Sequence, residues 1–238
     1  MTPIERLLLG YCVLGTTLVG GWTLWGVARP PERLSVIELD AQRLNIREPD
    51  GRLRLVATSA ARTPGILFRG KEYPHPSRRS AGLLFFNDQG TENGGLIFDG
   101  ARRDGRVTSS GHLSFDQFEQ DQVVTLDQSE NDGRRWAGLG VADRPVQPLD
   151  VATLSRAATT HDPTEQTRLM DSLKAQSGHQ RVFVGKQDEA SRVILKDAQG
   201  RDRLRLEVTA PGKASITFLD ETGRAVRTYG PQPLARQF

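Results

Sequence analysis

The stretch Asp197-Ala198-Gln199-Gly200-Arg201-Asp202-Arg203-Leu204-Arg205-Leu206-Glu207-Val208 decides the fold class. Leu204, Leu206 and Val208 alternate with Arg203, Arg205 and Glu207. A period of two in polarity is the mark of a half-buried strand in an antiparallel sheet. The residues ahead of it spell a turn, because an Asp bonds back to the turn backbone and Gly supplies the positive φ that closes a hairpin. The same signature recurs at Glu48-Pro49-Asp50-Gly51-Arg52, Asn87-Asp88-Gln89-Gly90, Arg103-Asp104-Gly105-Arg106, Glu130-Asn131-Asp132-Gly133-Arg134 and Asp220-Glu221-Thr222-Gly223-Arg224. Leu53 and Leu55 alternate with Arg52 and Arg54 in the same way. The chain is therefore predicted to be mainly β, an antiparallel meander or sandwich-like body.

Outward from these hairpins the pattern changes in three places. Between Ala41 and Leu44 the apolar parity switches, from Ile37/Leu39 to Leu44/Ile46, which predicts a β-bulge or strand break near Gln42-Arg43. From Gln147 to Gly178 the period becomes helical. Asp150 precedes Val151, Leu154, Ala157 and Ala158, and Asp162-Pro163-Thr164-Glu165 reads as an N-cap, a first-turn proline and a capping-box glutamate. Leu169, Met170 and Leu173 then form a narrow apolar stripe that Gly178 can end. Third, residues 7–27 contain no charged side chain, between Glu5/Arg6 and Arg29-Pro30-Pro31. About 21 residues of helix match the hydrocarbon core of a bilayer.

The expected organisation is a short N-terminal tail at 1–6, a transmembrane helix at 7–28, a first β domain at 34–148 and a helical connector at 149–178. A C-terminal β-hairpin region follows at 181–229, with a flexible tail at 230–238. Trp22 and Trp25 suit the headgroup region. The apolar run exceeds the 7–15 residues usual for a cleaved signal, although Gly26-Val27-Ala28 would satisfy the small-residue rule for cleavage. Retention as a single-pass anchor in the inner membrane is the expectation, with the N-terminus in the cytoplasm and the body outside. Thr16/Gly20 and Thr17/Gly21 have the spacing that lets two membrane helices approach, so a homo-oligomer is compatible with the sequence.

Composition removes several function classes. Cys12, inside the apolar run, is the only cysteine, so the body has no disulfide framework, thiolate metal site or cysteine nucleophile. The net charge is +3, and 27 arginines against 5 lysines are interleaved with 29 acids along the whole chain. Scattered arginines with few aromatics describe solvated strand faces rather than a nucleic-acid platform.

Motif chemistry is thin. Ser129-Glu130-Asn131-Asp132-Gly133-Arg134-Arg135-Trp136 resembles the Asp box of sialidase-type propeller blades, a hairpin-stabilising device. That resemblance implies a hairpin with a packed Trp136 and no activity. Asp127-x-Ser129-x-Asn131 begins like a calcium loop but has Asp132 where Gly is needed and Gly138 where a bidentate Glu belongs. His75, His112, His161 and His179 have no paired spacing, so no metal and no cofactor are expected. Asp116, Glu119 and Asp121 include a conceivable glycosidase pair, and the usual role of acids so spaced is a solvated turn.

The dense polar block Asn87 to Gly95, between strongly apolar strands, is where a binding loop would sit. The candidate binding residues are Asn87, Asp88, Glu92 and Asn93 on this block, with His112 and Asp116 on the strand that follows. As exposed groups, Glu92 and His112 are expected to be replaceable by alanine at little cost in stability. This block, with Gly111-His112-Leu113-Ser114-Phe115-Asp116 and Gln120-Asp121-Gln122, resembles a group of bacterial chains that carry one N-terminal membrane helix and this β region. The likeness spans residues 36–148 and implies a shared fold, with no activity and no functional residue to carry over.

These readings point to a membrane-anchored, non-enzymatic β module that binds or scaffolds at the bacterial cell envelope. Its partners would be membrane lipid through the N-terminal helix, and an envelope protein or glycan through the body. The alternative is an envelope hydrolase of glycan or peptide using acids and His112 of the first β domain. Convergence of His112, Asp116 and Glu92 in one concavity would discriminate the two.

Overall fold

The computed structural model describes residues 2–28, 33–75 and 78–231, the side chains of 22–28 excepted. The chain divides into two compact units, Met1–Asp40 and Ala41–Phe238. The first contains helix α1, Pro3–Ala28. Over Pro3–Gly21 it is long and apolar enough to cross a membrane. A helix of this kind at an N-terminus serves as an anchor or as a signal sequence. The hydroxyls of Thr16 and Thr17 donate to the carbonyls of Cys12 and Val13 one turn back, which satisfies them inside an apolar segment. The expected placement of Trp22 and Trp25, and most of the tail, lie outside the described residues.

The second unit is built on one antiparallel sheet. Its strands are β1 (Arg43–Arg47), β2 (Leu53–Thr58), β5 (Ala81–Phe86), β6 (Glu92–Arg103), β7 (Arg106–Asp116), β8 (Gln122–Asn131) and β9 (Arg134–Ala142). They continue as β10 (Gln180–Gln187), β11 (Ala190–Lys196), β12 (Asp202–Val208), β13 (Ala214–Leu219) and β14 (Ala225–Tyr229). A two-stranded hairpin, β3 (Ile66–Phe68) and β4 (Lys71–Tyr73), interrupts the series. Helices α2 (Val151–Thr159) and α3 (Pro163–Ala175) fall between β9 and β10. Every sheet strand pairs with its sequence neighbour, so the body is a meander of twelve strands. The helical connector does not divide the sheet: β9 pairs directly with β10, Leu139 opposite Val184.

Local chemistry accounts for the hairpins. Asp104-Gly105 and Asp132-Gly133 both take positive φ, the two-residue turn that matches strand twist. A second turn type closes with two backbone bonds, as where Asn87 N donates to Thr91 O and Gly90 N to Asn87 O. The same pair of bonds recurs at Glu48–Arg52, Gln117–Asp121, Asp197–Arg201, Thr209–Lys213 and Asp220–Arg224. The polar block at Asn87 is therefore an ordinary hairpin turn of the kind repeated along the chain, and Glu92 to Gly95 already belong to β6. The parity switch near Gln42 is a strand start: β1 begins at Arg43, and Ile37 and Leu39 are exposed ahead of it.

The Asp box region forms the β8–β9 hairpin, and the Trp136 ring stacks on Phe183 with centroids 6.0 Å apart. In α3, Asp162 caps by accepting from Thr164 N, as expected. Glu165 does not close the capping box; it pairs instead with Arg156 and Arg168. The fully packed core is small. Leu53, Val56, Leu84 and Phe86 of the sheet meet Leu67 of the β3–β4 hairpin, which thus covers one face of β2, β5 and β6.

The tip of that hairpin is docked on the β5–β6 turn, where Gly70 N donates to Gly90 O at 3.1 Å and Arg69 N to Thr91 Oγ1 at 2.9 Å. Gly90 has φ +73°, and a Cβ there would lie 2.9 Å from Gly70 N. Gly223 has φ +81° with open space around it. Gly223→Ala should therefore cost only the left-handed backbone penalty of about 1–2 kcal/mol, whereas Gly90→Ala should cost at least about twice that by also levering the hairpin off. Urea unfolding midpoints of the two variants test this; equal losses would mean the docking contact carries no stability.

Candidate functional site

The turn Gln117–Asp121 builds the site because it does more than reverse the chain. Its Gln117 Nε2 donates to Pro145 O at 2.7 Å, and Gln120 Nε2 to Gln147 O at 2.9 Å. Leu149 N donates to Glu119 O at 2.8 Å. These three bonds hold the strap that leads into α2 across the end of β7 and β8. Between the strap, the two helices and the β3–β4 hairpin lies a cleft of about 760 Å³. One wall is Ile66, Leu67 and Phe68; the other is Leu154, Met170 and Leu173. The polar floor carries Thr91, Glu92, Asp116, Asp121 and Gln122.

Two bidentate ion pairs frame the cleft. Arg78 donates to both oxygens of Glu92 at 2.7 Å and to Gly65 O at 2.9 Å, with each side chain only 14 % exposed. Arg69 donates to both oxygens of Glu119 at 2.7 and 2.6 Å. Arg69 and Glu119 both take positive φ, 50° and 52°, a conformation costly for such residues. The ion pair, together with the hairpin docking, holds them there. The Arg69 guanidinium keeps the Glu119 carboxyl below its ordinary range.

Asp116 is the perturbed group. Burial first, then the charges of Glu92 and Asp121, push its carboxyl up to about 7, against a hydrogen bond from Ser114 and the charge of Arg78. Its Oδ1 is buried with no hydrogen-bond partner among the described residues. His75, also lining the cleft, is pushed down to about 4 by burial and by Arg78. At neutral pH the cleft thus holds a neutral imidazole and a carboxyl near half-protonation. Among the described residues six acids line it (Glu92, Asp116, Glu119, Asp121, Asp150 and Asp171) against Arg78 and Lys174, with Arg69 paired to Glu119 and Arg144 to Asp121. A cleft with apolar walls and an acidic floor can seat a ligand that offers hydrogen-bond donors or a positive charge beside apolar groups.

Of the residues singled out from sequence, Glu92 and Asp116 come together in this cleft, as do Glu119 and Asp121 of the acids named beside Asp116. His112 does not line it; its Nδ1 lies 2.5 Å from Asp127 Oδ1 across β7 and β8. The three do not converge. Asn87 builds its own turn, Oδ1 accepting from Gln89 N and Thr91 N. Asp88 is exposed and paired with Arg54, and Asn93 is exposed on β6. Glu92 and His112 are part-buried partners of Arg78 and Asp127 rather than free exposed groups, so alanine at either position removes a pairing.

The cleft residues without a sequence signal are Arg78, one of 27 arginines, and His75. Met170 and Leu173 were legible only as an apolar helix stripe. Among the described residues no group of three or more His, Cys, Asp or Glu is arranged to hold a metal ion. Compared with models of known families, with characterised proteins and with solved structures, the chain matches none.

Proposed function

We propose that the chain is a membrane-tethered, non-enzymatic β module that binds a partner at the cell envelope, with the cleft above Glu92 and Asp116 as its seat. The single observation that carries this reading is the cleft itself: an acidic floor between two apolar walls, braced by ion pairs on both sides. Such a seat suits a peptide segment of an envelope protein in which a basic residue is flanked by apolar ones. Its positive charge would meet Asp116 and Asp121, and its neighbours would lie on Phe68 and Met170. Under this reading α1 stays in the inner membrane as a single-pass tether, with the body on the extracytoplasmic side.

One observation favours a second reading. Asp116, near half-protonation at neutral pH and close to Asp121 and Glu92, has the makings of a general acid beside a carboxylate base, as a glycan hydrolase requires. His112 has no role in that version.

The test starts from carbonate-washed membranes bearing the full chain, from which partners are captured. Met170→Lys with Asp171→Lys reverses the character of one wall at two exposed positions. Partner recovery should fall by about tenfold or more with the β spectrum unchanged. Undiminished recovery would remove the cleft as the seat. Release of the parent chain by the carbonate wash would remove the tether. Turnover of glycan or peptide that is lost in Asp116→Asn would establish the hydrolase instead.

A further inference from the structure

Directly paired residues of neighbouring strands share a face of the sheet. On the face opposite the β3–β4 hairpin, the pairing places apolar residues against one another throughout. Ile46 faces Leu55 at one edge, Leu126 faces both Leu113 and Leu139 in the middle, and Leu206 faces Val193 and Ile216 towards the other edge. From β2 to β13 no charged residue interrupts the two central positions of any strand on this face. Among the described residues no element of the second unit packs over it: Phe115 is 56 %, Leu126 54 %, Phe218 43 % and Ile216 41 % exposed. Over β10 to β14 the stripe hollows into a trough of about 660 Å³ lined by Val184, Leu206 and Tyr229.

Monomeric proteins rarely present a contiguous apolar patch above a few hundred Å². Ten strands, β2 to β13, at ~4.8 Å spacing make this stripe about 48 Å long, and two side-chain positions make it about 14 Å wide, so it offers roughly 700 Å² per copy. Two such faces together would bury about 1,400 Å², inside the range of a stable specific interface. A partner must bring an uncharged strip of the same extent, and the chain itself has one. An acyl chain would need an enclosed channel, whereas this face is open along its length.

We infer that a second copy of this chain covers the stripe, the two sheets packing face to face as a sandwich. The cleft lies with Phe86 and Glu92 on the other face, so each copy keeps its own cleft outermost. The dimer is independent of what that cleft binds.

The experiment uses the full chain with Cys12→Ser and Glu189→Cys, an exposed turn position for a donor or acceptor dye, in phosphatidylcholine–phosphatidylglycerol vesicles. Energy transfer between copies should persist on tenfold dilution with lipid. Leu126→Glu and Leu126→Lys should each abolish it, weakening association by about a hundredfold, because each buries an unpaired charge against its own image. Mixing the Glu and Lys variants should restore it, which also shows that each variant folds. Absence of transfer in the parent overturns the dimer. So does transfer that survives both single variants, which would assign pairing to α1, and so does failure of the mixture to recover.

Discussion

A chain in which Arg78 is replaced by methionine is expected to unfold about 3–5 kcal/mol more easily than the parent at pH 7. The reason lies in what is left behind. Glu92 is held by both guanidinium nitrogens and is 14 % exposed, so removing Arg78 strands a carboxylate beside Asp116 in a poorly solvated cleft. Gly65 O loses its donor as well. Methionine keeps the apolar bulk, so the loss reports charge and not packing. The companion Arg78→Met/Glu92→Leu should recover most of the loss, because a pair removed together leaves no orphan charge. Urea unfolding read by the β signal measures both. For contrast, Arg135 is paired with Glu130 but 68 % exposed, and its removal should cost no more than about 1 kcal/mol. A loss for Arg78→Met no larger than that would show that the cleft is wetter than its side-chain burial implies.

The reach of the sequence follows from range. Leu204, Leu206 and Val208 announce their strand because alternation and turn chemistry are local, and the neighbours of β12 are also its neighbours in sequence. A meander pairs only adjacent strands, which is why its architecture was legible. What was not legible depends on contacts across many residues. Arg78 reaches Glu92 over 14 residues and Arg69 reaches Glu119 over 50, and no spacing rule joins either pair. The Asn87 block misled for a physical reason: its polar density belongs to a hairpin turn plus the start of β6, and only Thr91 and Glu92 of that block line the cleft. The apolar alternation, by contrast, carried more than a strand assignment. In a half-buried sheet one expects that face to meet a second layer, and among the described residues of the second unit none supplies it.

Asp116 and His75 should pull stability in opposite directions between about pH 4 and 7, and Asp116→Asn should leave the pull of His75 alone. Asp116 moves from an ordinary 3.8 in the unfolded chain to about 7 in the fold. Between those values the folded state keeps a proton that the unfolded state has released. Stability is therefore intact below about pH 4 and is lost as the pH rises through 7. A tenfold change in proton affinity is ~1.4 kcal/mol, so the full effect is on the order of 4 kcal/mol. His75 works in the other direction, falling from 6.5 to about 4. Its contribution is intact above about pH 6.5 and is lost as the pH falls towards 4, by on the order of 3 kcal/mol. The two contributions act over nearly the same window with opposite slopes, so in the parent they largely cancel and stability should stay nearly flat from about pH 4 to 6.5. In Asp116→Asn, a substitution of the same shape with no proton to lose, only the His75 contribution remains, so the variant's stability should rise with pH from about 4 to 6.5. At pH 8 the variant should exceed the parent by about 4 kcal/mol, and at pH 4 the two should nearly coincide. Urea unfolding at half-unit steps from pH 4 to 8 resolves this. Parallel curves across that window would mean that Asp116 ionises at its ordinary value and that the cleft floor is fully charged at neutral pH. A divergence that grows from pH 4 to 7 and then levels off would fix Asp116 as the group whose proton a cationic ligand must displace, making ligand affinity rise as the pH climbs through 7.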